Sequence, residues 1–140
     1  MRFEASVLVK ASRDKVYSAY ADFEAMPRWS RRAVKVTSVA TEGNTARLET
    51  APSGGGRRHV TEMKLFPPDK AESESATRFT KNHSAVTFET VPGGTRVTAS
   101  LEVDFKGRWG WVMKPMGKAE AEASALAELI AFAKYVESIP

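Results

Sequence analysis

The chain has 140 residues, a formal net charge of +4, 42% hydrophobic residues and no cysteine. That is enough chain for one domain with its own apolar core, and it excludes disulfides and thiol chemistry. No apolar run reaches the length of a membrane-spanning helix, and so mild a basic excess does not call for a nucleic-acid partner.

From the N-terminus, Phe3, Ala5, Val7 and Val9 alternate with Glu4, Ser6 and Lys10, which predicts a strand over 2–10. Leu8 breaks the alternation, so both faces are expected to be partly covered there. The short apolar run makes this stretch a poor signal peptide, and with the lack of cysteine it points to the cytoplasm. Ser12 is a good helix N-cap and Asp14 suits the first turn. Val16, Tyr17, Ala19 and Tyr20 then predict a short amphipathic helix. Asp22 is positioned to cap a second one from Phe23 to Met26, ended by Pro27, with Trp29 just beyond.

Residues 33–41 and 45–51 read as strands around a hairpin turn at Glu42-Gly43-Asn44. The loop at 52–56 is no phosphate-binding loop, because Arg57-Arg58-His59 follows where Gly-Lys-Ser/Thr would be needed. A strand over 57–66 leads to the turn at Pro67-Pro68-Asp69. Residues 70–80, KAESESATRFT, read as a polar strand at a solvated position. Strands over 83–91 and 95–106 flank Pro92-Gly93-Gly94. In the last, Val97, Ala99, Leu101, Val103 and Phe105 oppose Arg96, Thr98, Ser100, Glu102 and Asp104, so one face is buried and one is wet.

From Arg108 to Ser138 the period changes to that of a helix. Val112, Met116, Ala119, Ala123, Leu126, Ile130 and Ala133 recur three and four apart, and Leu129, Phe132 and Val136 form a second apolar line. Glu120, Glu128 and Lys134 are expected to face solvent. A helix this long, roughly 40 Å, needs a broad apolar surface to lie on. Six or seven strands joined by short turns supply one as a curved antiparallel meander, an α+β architecture.

Residues 11–30, ASRDKVYSAYADFEAMPRWS, resemble the opening of the START-like superfamily, which includes polyketide cyclases, lipid-transfer START domains and birch-pollen-allergen-like proteins. Val16-Tyr17, Asp22, Pro27 and Trp29 carry the resemblance, together with the turn at Pro92-Gly93-Gly94-Thr95 and the closing stretch Leu126 to Glu137. The resemblance implies a helix-grip fold, in which the sheet curls around the long helix. It also implies a cavity between them for an apolar or amphipathic molecule such as a lipid, quinone or polyketide.

On the alternation, the candidate ligand-binding residues are Leu48, Met63, Phe88, Leu101 and Val103 on the strands, with Val112, Met116 and Ala123 on the helix. Trp111, next to Trp109 and among Arg108, Lys114 and Lys118, is the candidate entrance. Paired tryptophans beside basic residues also suit a peripheral membrane contact, and Pro115 and Gly117 give that end a place to move. His59 and His83 stand on separate strands without metal-ligand spacing, no serine sits in a nucleophile elbow, and no cofactor is expected.

The leading reading is therefore a carrier or sensor of a hydrophobic small molecule. An enzyme resembling polyketide cyclases would need groups such as Tyr20, His59, Glu62 and Arg78 to converge. A third reading, a surface-acting protein that binds RNA, rests on Arg28, Arg31, Arg32 and Lys35 around Trp29 alone.

Overall fold

The computed structural model describes residues 2–30, 34–52, 59–76, 80–105 and 118–140. Seven strands are present: β1 (Arg2–Val9), β2 (Val34–Glu42), β3 (Thr45–Pro52), β4 (His59–Phe66), β5 (Lys70–Ala76), β6 (Thr80–Val91) and β7 (Gly94–Phe105). Helix α1 (Arg13–Ala21) and a 3₁₀ helix (Phe23–Arg28) follow β1, and α2 (Lys118–Ser138) closes the chain. The strands form one antiparallel sheet in the order β1-β7-β6-β5-β4-β3-β2. Every neighbouring pair except β1 and β7 is consecutive in sequence, so the sheet is a meander whose last strand returns to the first.

Local signals explain most of the boundaries. The Ser12 side chain accepts a hydrogen bond from the Lys15 amide at 3.3 Å and caps α1. Asp22 makes no side-chain cap to the 3₁₀ helix, which takes Pro27 inside it and continues to Arg28 instead of stopping at Met26. Gly43 adopts a positive φ of 57° at the β2–β3 hairpin. Gly94 is required for a different reason: a Cβ there would stand 2.1 Å from the Val9 carbonyl oxygen, where β7 begins beside the end of β1.

The polar strand expected over 70–80 is not at a solvated position in its described part, β5 (Lys70–Ala76). It lies in the middle of the seven, with Ala71 buried on the concave face beside Ser73 and Ser75, while Glu72 and Glu74 fall on the other face. Small side chains let a strand that looks polar sit at the centre of a sheet, because the alternation and not the mean polarity sets which face is buried. Leu8 is on the outer face and exposed, so the covering expected there is absent.

The long helix corrects the sequence reading most. Its described part begins at Lys118; Val112 and Met116 lie outside the described residues, as do Trp109 and Trp111. Of the two apolar lines, the second is buried: Leu129, Phe132 and Val136 pack on the sheet, Phe132 being 1% exposed, and Ala133 at the end of the first line is buried with them. The first line faces out from Ala119 to Ile130. Ala119 and Ala123 are exposed, Leu126 is 39% exposed and Ile130 40%. Ala123 is therefore not on the gripped face. The reason is area: a stripe with Phe132 and Leu129 removes more apolar surface from water than one with two alanines. Glu120 and Lys134 are exposed as expected, whereas Glu128 is half-buried and accepts a hydrogen bond from the Ser30 hydroxyl at 2.7 Å.

Helix α2 runs alongside the free edge of β1. Glu122 accepts from the Glu4 amide at 3.0 Å and Glu137 from the Lys10 amide at 3.2 Å. Two carboxylates one helix length apart thus occupy edge amides that would otherwise offer themselves to another strand.

Candidate functional site

The concave face is built from alternate residues of all seven strands. Register places Phe3 opposite Leu101, Val97 opposite Phe88, Val86 opposite Ala71, and Met63 opposite Ala46. Leu48, Met63 and Phe88 are buried, while Leu101 and Val103 are half-buried. These five candidates share the concave face but not one cluster. Leu48 and Met63 pack with Phe23, Ala46 and Ala71. Phe88 packs with Val9, Val16, Tyr17 and Val97 beneath Phe132 and Val136 of α2.

Tyr20 bridges the two clusters, since it packs against both. Its ring lies 5.6 Å from Phe88, 5.9 Å from Phe132 and 6.4 Å from Phe23, measured between centroids. Trp29 meets Phe132 at 4.9 Å and Tyr17 meets Phe88 at 5.3 Å, both edge to face. The end of the concave face near α1 is thus filled by aromatic side chains. Of these the sequence reading singled out Phe88 alone as lining. Phe132 was visible only as part of a second apolar line, and Tyr20 as one face of a short helix and as a group that a cyclase chemistry would recruit.

Polar atoms inside this framework are few. The Tyr17 hydroxyl, the Trp29 indole nitrogen and the Asn82 side-chain oxygen are buried with no hydrogen-bond partner among the described residues. Burial raises the Tyr17 phenol above its ordinary value of 10.0, so it stays protonated well into the alkaline range. The Ser73 and Ser84 hydroxyls, directly opposite across β5 and β6, are hydrogen-bonded to each other.

Charge is on the other side of the sheet. Arg47, Glu62, Glu74, His83, Glu102 and Arg2 form one cross-strand row on the outer face, through the register of β3, β4, β5, β6, β7 and β1. His83 Nδ1 lies 3.5 Å from Glu74. A groove of about 530 Å³ opens among Arg47, Glu62, Lys64, Glu74 and His83 on this face. Glu62 is thereby separated from Tyr20 by the thickness of the sheet. Of the other groups a cyclase chemistry would recruit, Arg78 and the side chain of His59 lie outside the description. Among the described residues there is no group of three or more metal-ligating side chains, and no helix is long and apolar enough to cross a membrane.

This arrangement is the one seen in several solved structures. TTHA0849 from Thermus thermophilus superposes with a TM-score of 0.78 at 17% identity, covering 99% of this chain and 98% of that one. Zhui aromatase/cyclase from a Streptomyces species gives 0.75 at 17% identity, over 98% and 93% of the two chains. A START superfamily protein from Mycobacterium smegmatis gives 0.69 at 20% identity, over 99% of each. At such identities the likeness establishes the helix-grip fold. No curated protein sequence matches the chain. Residues 1–137 match the family described as polyketide cyclase / dehydrase and lipid transport. Seven strands curled against one C-terminal helix, and a sequence match over all but the last three residues, agree: the chain belongs to the polyketide cyclase / dehydrase and lipid transport family.

Proposed function

We propose that this protein binds a hydrophobic or amphipathic small molecule between the concave face of the sheet and helix α2. The observation that carries the reading is the uneven covering of that face. Near α1, Phe88, Val97 and Phe132 are buried against one another. Further along the same strands Leu101 and Val103 are only half-buried, although Val97 on the same face of β7 is fully buried. A contiguous apolar floor that its own chain covers incompletely favours a ligand. Binding stands ahead of catalysis because, His59 apart, the acidic and basic residues of the described strands fall on the outer face of the sheet.

The experiment is native mass spectrometry of the protein purified from its own host, with organic extraction of whatever accompanies it. A stoichiometric apolar compound, released on unfolding, is the expected result. A ligand-free protein that also fails to bind the neutral dye Nile red would overturn the reading.

A further inference from the structure

We infer that the ligand of the concave face is an uncharged molecule bearing a hydroxyl group, an alcohol or a phenol, and not a carboxylate or a phosphate ester. This rests on the binding reading just given and specifies its ligand.

The concave face has a direction. Along β6 its residues are Phe88, Val86, Ser84 and Asn82, apolar at one end and polar at the other. On β5 the sequence is Ala71, Ser73, Ser75, in step with β6, and on β4 it is Leu65, Met63, Thr61. From Phe88 to Asn82 is six residues, about 20 Å of strand. An apolar molecule with one polar group fits at the polar end, its body on Leu101 and Val103 of β7 and its polar group over Ser84 and Asn82, their register partners on β6.

The polar end is neutral. Ser73, Ser75, Ser84, Asn82 and Thr61 are its side chains; no Asp, Glu, Lys or Arg of the described strand residues falls on their face, and His59, two residues beyond Thr61 on β4, is the one titratable residue that the register places there among the described strand residues. The carboxylates that α2 turns toward the sheet are engaged: Glu122 with the Glu4 amide and Glu128 with Ser30. An anionic head would therefore meet no Lys or Arg among the described strand residues of this face, and a buried unpaired charge is strongly disfavoured.

Asn82 names the group required. Its side-chain oxygen is buried and lacks a donor among the described residues, whereas the neighbouring Ser73 and Ser84 hydroxyls satisfy each other. Buried acceptors are rarely left without a donor. A ligand hydroxyl both donates and accepts, so it completes the amide whichever of its two ends points inward.

The test uses the full chain with Nile red as reporter, and naphthalene, 2-naphthol and 2-naphthoate as competitors that share one ring system. We expect 2-naphthol to displace the dye at roughly 3- to 10-fold lower concentration than naphthalene, the range of one neutral hydrogen bond, and 2-naphthoate to be the weakest. Asn82→Leu should abolish the advantage of 2-naphthol over naphthalene while Nile red still binds. Ser84→Ala, a smaller change in the same patch, should reduce that advantage, and it serves if Asn82→Leu does not fold. Equal competition by naphthalene and 2-naphthol, tighter binding of 2-naphthoate, or an advantage that survives these substitutions would overturn the hydroxyl assignment and leave the binding reading standing. Failure of the wild-type chain to bind Nile red would overturn both.

Discussion

Single residues here show how an apolar interior handles the few polar atoms it encloses. Tyr17 contributes its ring to the core, against Phe88, and leaves its hydroxyl buried without a partner among the described residues. Removing an unsatisfied hydroxyl relieves a desolvation penalty, so Tyr17→Phe should leave stability at neutral pH unchanged or raise it by about 1 kcal/mol. The pH dependence has a definite sign. A phenol whose folded value is raised contributes stability that is intact below its unfolded value of 10.0 and is lost as the pH climbs past it. Urea unfolding at neutral pH and again above pH 10 should therefore find the wild type losing more stability than Tyr17→Phe. An equal loss in both would mean that Tyr17 ionises as freely in the fold as in the unfolded chain. Asn82 is the same kind of residue, its side-chain oxygen buried without a partner among the described residues.

At the scale of elements, α2 is the instructive case. It has seven alanines between Ala119 and Ala133 and two apolar lines, and periodicity alone ranks neither above the other. The buried line carries the larger side chains, and the exposed line leaves Leu126 and Ile130 in contact with water. Phe132→Ala should cost about 3–5 kcal/mol, since it empties the contact shared by Tyr20 and Trp29. Ile130→Ala should stay within about 1 kcal/mol, because the residue is already largely solvated. Thermal or urea unfolding of the two variants side by side checks the orientation of the helix: comparable losses would mean that the helix is rotated from the position described. β5 teaches the converse. Its glutamates suggested a wet strand, yet Ala71, Ser73 and Ser75 give it an inner face of small side chains that fits the centre of the sheet.

In the molecule as a whole, the two ends of the chain close the structure. β7 returns to pair with β1 along its full length, and α2 covers the other edge of β1 with Glu122 and Glu137. Thr95, fully buried, donates from its hydroxyl to the Ala11 carbonyl at 2.8 Å, at the same corner where Gly94 meets the Val9 carbonyl. The first and last thirds of the sequence are thus held together at one point. Gly94→Ala places a methyl against main chain that cannot step aside, and should cost more than about 2 kcal/mol. Gly93→Ala makes a control, since the space beside Gly93 is open and only its φ of 92° opposes a side chain. If differential scanning calorimetry found the Gly94 variant no less stable than the Gly93 variant, the close approach would not be present.

What the sequence determined by itself is local. Alternation defined β1 and β7, Ser12 announced the start of α1, and Gly43 the first hairpin. The residues from Val16 to Trp29 carried the family likeness that the match over residues 1–137 established. Among the described candidates, Leu48, Met63, Phe88, Leu101 and Val103 were legible as inward-facing because a strand has a period of two, so knowing one inward residue gives the rest. The tertiary structure alone decided which line of α2 is buried, that β5 is central, that Glu62 and His83 lie on the outer face away from Tyr20, and that the Asn82 side-chain oxygen is left without a partner among the described residues. Each of these depends on residues far apart in sequence meeting across the sheet. A helix rich in alanine and a strand rich in serine carry too little difference in apolar area between their faces to decide the matter from within.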